Sequence, residues 1–209
     1  MIKKIFGFYR LPLYILAHPV DGFYAMKYEK QGTIKIALLN FFLVLVSYAF
    51  SAQYTSIIVS QRNPMTIHSF FESTILVSAL ILFCISNWSV TSLTNGEGRF
   101  KDIFMAVCYA MTPLVLTIVP AAIISNFLSE EETGFFHMIV AVGVTYFVFL
   151  VFLGLLTVHN YTVVKALTMV LLTACAILII VFLVTLMLTL WQQLYVFVYS
   201  LYTEIMFRA

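Results

Sequence analysis

The sequence predicts an all-α fold, a polytopic bundle of five transmembrane helices with interfacial helices at its N-terminus. Composition supports this class, because 63% of the 209 residues are hydrophobic and only 10% are charged, against roughly 25% in an average soluble domain. The apolar residues gather in five runs, each long enough to cross a hydrocarbon core of about 30 Å. Basic residues flank these runs mostly on one side. Five spans leave no room for a separate soluble domain.

The basic residues predict the orientation of the chain. Of the 11 lysines and arginines, only Arg62 and Arg208 fall opposite the N-terminus. Because Lys and Arg are enriched in cytoplasmic loops, we expect the N-terminus in the cytoplasm and the C-terminus outside. The net charge of +2 is too small to indicate nucleic acid, so these residues are expected to contact lipid headgroups. The basic residues on the cytoplasmic side are Lys3, Lys4, Arg10, Lys27, Lys30, Lys35, Arg99, Lys101 and Lys165.

Residues 1–32 are predicted to form cytoplasmic interfacial helices. Their first half mixes basic and aromatic side chains, which suits an anchor at the membrane surface rather than a span. Two prolines interrupt the apolar core that a cleaved signal peptide needs, so we expect the segment to be retained. Asp21 is a candidate N-cap for a short helix over 22–31, with Gly32 as its C-terminal stop.

The transmembrane domain is predicted to cover 33–190. Its third span is unusual, because Pro113 and Pro120 each remove a backbone hydrogen bond and should kink or unwind the helix. The carbonyls that they free, at Tyr109 and Leu116, then need partners from neighbouring helices or water. The five spans are predicted over 33–56, 74–93, 103–128, 135–158 and from 163 to about 191.

The last apolar run continues into an aromatic C-terminal helical extension, residues 191–209. An unbroken helix over 165–207 would be about 65 Å long, twice the hydrocarbon thickness, so it must bend or project. Two alternatives stay open: the end of the helix lies in the membrane–water interface on the outer side as an aromatic belt, or it projects from the membrane and contacts a partner. We favour the belt. The aromatic residues at helical spacing include Trp191, Tyr195 and Tyr199.

The sequence contains no motif typical of catalysis, cofactor binding or metal binding. The metalloprotease, nucleophile-elbow and P-loop templates are missing. The predicted topology places His18 and His159 on the inside of the membrane but His68 and His137 on the outside, so no shared metal is expected. The favoured interpretation is that these histidines pack as aromatic rings at the membrane interface. No acidic residue falls within a span, which argues against a proton-coupled carrier. We therefore expect neither an enzyme nor a bound cofactor.

Three short motifs stand out: His18 with Pro19, the loop NGEGRFKD over 95–102, and YAMTP over 109–113. Together with the five spans, they resemble the bacterial branch of the Yip family, the Ypt/Rab-interacting membrane proteins. The resemblance implies a small helical bundle in the bacterial cell (plasma) membrane, without established enzymatic activity. Eukaryotic members bind Rab-type GTPases and other membrane proteins, so the resemblance implies a membrane-protein partner here.

Two functions stay open. The favoured one is an accessory or scaffold protein that packs in the lipid bilayer against another integral membrane protein or its own copies. A nutrient-import ABC transporter is the preferred example of such a partner. The alternative is a small transporter or channel for a neutral or lipid-like molecule, with the broken third helix lining its path.

Candidate site residues follow from the motifs and the aromatic extension. We expect the 95–102 loop to meet the His18 motif and the Tyr109 motif at one membrane face. A purely structural role is the alternative, with glycines for a tight turn and prolines for helix shape. The candidate structural or interaction residues are His18, Pro19, Asn95, Gly96, Gly98, Arg99, Tyr109, Pro113, Pro120, Trp191, Tyr195 and Tyr199.

Overall fold

The computed structural model describes residues 10–60, 69–94 and 96–208, and these segments are helical without any strand. Two short 3-10 turns, Ser125–Phe127 and Glu130–Glu132, join the third and fourth spans. The helices are α1 (Arg10–Ala17), α2 (Pro19–Lys27), α3 (Ile34–Tyr54), α4 (Ile57–Ser60), α5 (Ser69–Leu93), α6 (Phe100–Ala110), α7 (Thr112–Ile124), α8 (Thr133–His159) and α9 (Val163–Arg208).

Five helical segments are long and apolar enough to cross a membrane, which confirms the predicted five-span all-α fold. The second span begins at Ser69 rather than near 74, because the amphipathic residues before it continue the same helix. The spans are Ile34–Tyr54, Ser69–Leu93, Phe100–Phe127, Glu130–His159 and Val163–Phe207.

The third span, made of α6 and α7, forms the centre of the bundle. It packs against α3 and α8, and α6 also contacts α5. Its most apolar window is 44% buried, against 6% for the fifth span. The side chains from Met105 to Ala110 are all buried. The core therefore lies around the helix that carries the prolines.

The short helix before the first span differs from its prediction. It covers Pro19–Lys27 rather than 22–31, and Asp21 lies inside its first turn instead of capping it. The proline explains the earlier start, because its missing N–H and preset φ suit the first helical turn. Gly32 is not the stop either, since the C-cap is Tyr28 and the left-handed residue is Lys30, with φ 56°.

The N-terminal helices α1 and α2 pack into the bundle. Ile15 and Phe23 are fully buried, and Met26 is nearly so. Gly154 of α8 makes room for the Phe23 ring, because a Cβ at this glycine would lie 3.1 Å from its Cζ atom. These two helices thus contribute side chains to the same core as the spans.

The fifth span is one continuous helix of 46 residues, about 69 Å long. It packs mainly against α5 and less against α8. Over 181–207 every described side chain is exposed except Thr203, which is partly buried. The helix does not break at Trp191, so the structure fits the projecting alternative rather than the interfacial belt that we favoured.

Candidate functional site

The third span breaks at Met111, two residues before Pro113. Pro113 has no N–H for the carbonyl of Tyr109, and the Thr112 hydroxyl donates to that oxygen instead, at 2.7 Å. Asn40 of α3 donates to the carbonyl of Cys108 at 2.5 Å and to the Thr112 hydroxyl at 3.2 Å. The carbonyl freed at Tyr109 thus has a protein partner, as expected. At Pro120 the helix α7 continues without interruption.

Tyr109 connects this centre to the start of the first span. Its side chain is fully buried, and its hydroxyl donates to the carbonyl of Thr33 at 3.0 Å while accepting from the Thr33 N–H at 3.1 Å. Tyr146 of α8 similarly donates to the carbonyl of Leu16. Both tyrosines therefore bond to backbone groups that precede the first span, at Thr33 and Leu16.

The glycines of the 95–102 loop pack against the end of α8. A Cβ at Gly96 would lie 2.6 Å from the Tyr161 hydroxyl, and one at Gly98 would lie 2.5 Å from His159 Cε1. The Gly98 N–H donates to His159 Nδ1 at 3.2 Å. Glycine is needed here for close approach, because any side chain would displace the loop.

His159 is the centre of a buried polar cluster. It is 2% exposed and stacks on Tyr161, with ring centroids 5.1 Å apart. Because Nδ1 accepts from a backbone N–H, the ring proton lies on Nε2, which donates to Asn87 Oδ1 at 3.3 Å. Asn87 Nδ2 in turn donates to Thr173 Oγ1 at 3.0 Å. These bonds join α5, the glycine loop, α8 and α9.

Lys27 adds a charged contact to the same end of the bundle. Its Nζ donates to the carbonyl of Val158 at 2.5 Å and lies 3.8 Å from Glu97 Oε2. A cation at the C-terminus of a helix satisfies a free carbonyl and interacts favourably with the helix dipole. Tyr28 also donates to Glu97, at 3.3 Å. We call Lys27, Asn87, Glu97, Gly98, His159 and Tyr161 the loop cluster.

The neighbours of the two loop glycines come from α5, the end of α8 and the turn after it, and the expected meeting of the loop with the His18 and Tyr109 motifs stays a prediction. The nearest atoms to a Cβ at Gly96 or Gly98 belong to His159, Tyr161, Thr91 and Val158, and not to the His18 motif. Sequence reasoning missed the partners Asn87 and Thr173. A signal for Asn87 existed, because an amide within an apolar run must find a hydrogen-bonding partner.

The other candidate residues of the N-terminal half occupy separate places. His18 stacks on Tyr14 with centroids 5.0 Å apart, as the aromatic-packing interpretation predicted, and Pro19 begins α2. Arg99 is the N-cap of α6, and its N–H donates to Asp102 Oδ2 at 3.3 Å. Asn95 lies outside the described residues.

The aromatic candidates lie on the outer half of α9, which we define as residues 181–207. Trp191 is 72% exposed. Tyr195 and Tyr199 stack on each other, with centroids 6.4 Å apart. These side chains make no contact with the loop cluster, which lies at the opposite end of α9, near Lys165.

Polar side chains of this outer half share one helix face. With 3.6 residues per turn, this face points away from Ala166 and Thr173, the buried positions of α9. The threonine hydroxyls donate to carbonyls of their own helix. We call this face the outer stripe: Thr185, Thr189, Gln192, Ser200 and Thr203.

Comparison with known proteins gives one match. A family model described as the Yip1 domain matches residues 13–186, which include the glycine loop, the broken third span and the first half of α9. No curated protein and no solved structure matches the chain.

Proposed function

The chain belongs to the Yip family of membrane proteins, and from this premise we propose that it is an accessory or scaffold protein without catalytic chemistry of its own. Its task is to pack against another integral membrane protein. The observation that carries this proposal is the outer half of α9, a long apolar surface without a neighbour in the described part of the chain.

The length of α9 leaves this surface uncovered by the bundle. Residues 163–180, which pack against α5 and α8, extend about 27 Å and nearly cross the hydrocarbon core. The outer half adds about 40 Å, and its exposed side chains include Leu194, Phe197 and Phe207. A contiguous apolar surface of this size outside the lipid marks an interaction site.

The outer stripe indicates that the partner packs against α9 through a helix of its own. Threonine, serine and glutamine side chains let a second helix approach closely and can form hydrogen bonds with it. Neither Gln192 nor Gln193 makes a side-chain hydrogen bond among the described residues, so both amides are free for a partner. The stripe faces away from the bundle, which leaves it open to a second protein.

The finer points of the proposal follow from the sequence. The charge asymmetry supports a cytoplasmic N-terminus, which puts the outer half of α9 on the external side. Resemblance to the bacterial branch of the family supports a location in the bacterial plasma membrane, with a nutrient-import ABC transporter as the preferred partner. A homo-oligomer is the other arrangement that would cover α9.

The alternative, a transporter or channel for a neutral or lipid-like molecule, depends on the broken third span. Such a path needs free carbonyls that face a cavity. At the break, however, the carbonyls of Cys108 and Tyr109 already accept hydrogen bonds from Asn40 and Thr112. The third span is also the most buried of the five. We therefore prefer the scaffold.

A pull-down in gentle detergent tests the proposal. The full chain, tagged at its N-terminus, should bring down a stoichiometric membrane protein that mass spectrometry identifies. The double variant Thr189→Leu with Gln192→Leu removes polar groups from the outer stripe and should lose that partner. The control, Leu190→Ile with Leu194→Ile, alters the opposite face at the same depth and should keep it. A lone monomer from the parent, or equal recovery with both variants, would overturn the proposal.

A further inference from the structure

A cavity of about 790 Å³ opens between the N-terminal helices and the start of the first span. Its walls come from α1, α2, the connection after α2 and the first turn of α3. The volume falls within the range of about 300–1,000 Å³ that is typical of ligand sites. This cavity is separate from the loop cluster and from the outer half of α9, and the inference drawn from it does not rest on the proposed function.

The position of the cavity places it at the membrane interface. Thr33 and Ile36, at the beginning of the first span, line one wall. The opposite walls carry Tyr14 and Tyr24, which are 41% and 52% exposed, and tyrosine is enriched at the headgroup level. The apolar part of the lining, Leu11, Ala25 and Ile36, is buried. A lipid can therefore reach this cavity directly from the bilayer.

The charges in the cavity carry both signs. Arg10 lines one wall, and Asp21 and Glu29 line others. Within the described segments, the ion pair that forms is Lys27 with Glu97, so neither Arg10 nor Asp21 is neutralised by a protein group there. Glu29 accepts a hydrogen bond from the neutral amide of Gln31 at 2.7 Å. A complementary ligand carries an anion and a cation together.

We propose that this cavity binds the ammonium and phosphate groups of a phospholipid headgroup of the phosphatidylethanolamine type. Arg10 offers the planar donor group that suits a phosphate, and Asp21 and Glu29 accept hydrogen bonds from the primary ammonium. The tyrosine hydroxyls are further donors for the phosphate oxygens.

The lining favours ethanolamine over choline. A primary ammonium has three N–H donors for the two carboxylates, whereas a choline group has none. Choline is recognised instead by open aromatic faces, but Tyr14 stacks on His18 and Tyr24 packs against Tyr28, with centroids 5.0 Å and 4.8 Å apart. One face of each ring is therefore occupied.

Native mass spectrometry of the full chain tests the assignment. The protein is reconstituted with equal amounts of phosphatidylethanolamine, phosphatidylcholine and phosphatidylglycerol, and the lipid retained after delipidation is measured. The parent chain should retain phosphatidylethanolamine in preference to both others. The double variant Asp21→Asn with Glu29→Gln, which loses two charge-assisted hydrogen bonds, should lower that retention by about tenfold or more. Arg10→Gln should lower it as well.

Matched variants keep the test specific. Glu130→Gln with Glu131→Gln removes two exposed carboxylates from another loop, and Lys101→Gln removes an exposed cation that does not line the cavity, so both should retain the lipid as the parent does. Thermal denaturation checks that each variant is folded. Equal retention of all three lipids by the parent, or unchanged retention by the cavity variants, would overturn the proposal. Binding of soluble glycerophosphoethanolamine without retention of the lipid would reject the membrane as its source.

Discussion

His159 shows how a single polar side chain can join four parts of the bundle. Its two ring nitrogens have complementary partners, the Gly98 N–H and the Asn87 side-chain oxygen. Buried polar groups of this kind contribute modestly when paired but are costly when one partner is removed. The loop cluster is therefore sensitive to changes that leave its other members without partners.

Replacing His159 by Ala should lower stability. The change leaves the partly buried Gly98 N–H and the buried Asn87 amide oxygen unpaired, at a cost of up to about 1–3 kcal/mol for each unsatisfied group. Thermal denaturation in detergent measures the loss. His137→Ala is the control, since that histidine is exposed, and an equal loss in both variants would contradict a structural role for the loop cluster.

Gly98→Ala should also be destabilising, since its Cβ would lie 2.5 Å from His159 Cε1. Overpacking of this kind costs about 1–3 kcal/mol. By contrast, a Cβ at Gly134 meets nothing within 4 Å, so Gly134→Ala in α8 should be neutral or stabilise by up to about 1 kcal/mol. Only Gly98→Ala should therefore lower the melting temperature, and an equal decrease in both variants would contradict the close approach at Gly98 as the cause.

At the scale of elements, the N-terminal helices depend on tyrosines of the spans. The Tyr109 hydroxyl forms a hydrogen bond with the backbone of Thr33, and the Tyr146 hydroxyl forms one with the carbonyl of Leu16 near the end of α1. Because each contact ends at a backbone group, it restrains a whole segment and not only one side chain. The cavity between α1, α2 and α3 depends on this restraint for its shape.

Tyr109→Phe should loosen the start of α3 without unfolding the bundle. The variant keeps the ring in the core but removes the hydroxyl that bonds both backbone groups of Thr33, a loss of about 1–3 kcal/mol. Amide hydrogen exchange over 31–37 should become faster, while α8 stays protected. Tyr48→Phe is the control, because its hydroxyl forms no hydrogen bond among the described residues. Unchanged exchange at Thr33 in the Tyr109 variant would contradict the restraint.

The whole molecule has two unlike parts. One is the bundle that packs around the third span, and the other is the exposed outer half of α9. The bundle buries the proline break and one face of each N-terminal helix, whereas the outer half of α9 exposes large apolar side chains on every face. If the outer half binds a partner as proposed, the residues for stability and those for association are separated along the chain. Changes in the outer stripe should affect partner binding and leave the fold intact.

The charge asymmetry predicts the orientation of the whole chain. In a variant without the native cysteines, Glu131→Cys should react with a membrane-impermeant thiol reagent in intact cells. Lys101→Cys should react only after the membrane is opened, because the positive-inside rule places its loop in the cytoplasm. Labelling in the reverse order would show that the N-terminus lies outside.

The sequence alone determined the properties that depend on local composition. Hydropathy is read within one segment of about 20 residues, which is why the five spans, the break at the first proline and the excess length of the last helix could all be predicted. Gly96, Gly98 and Tyr109 could be singled out in the same way, because glycine pairs and a tyrosine before a proline are local signals, and their role as site residues stays a prediction.

Only the tertiary structure decided which residues meet. His159 forms hydrogen bonds with Gly98, which is 61 residues away in sequence, and with Asn87, which is 72 residues away. Asn87 forms one with Thr173, which is 86 residues away. No periodicity within a single helix encodes such pairs, because they depend on how the helices rotate and cross. The same limit applies to the packing of α1 and α2 into the core and to the direction of α9. Local sequence properties determine where the helices of this protein form. Packing between helices that are distant in sequence determines which side chains contact each other.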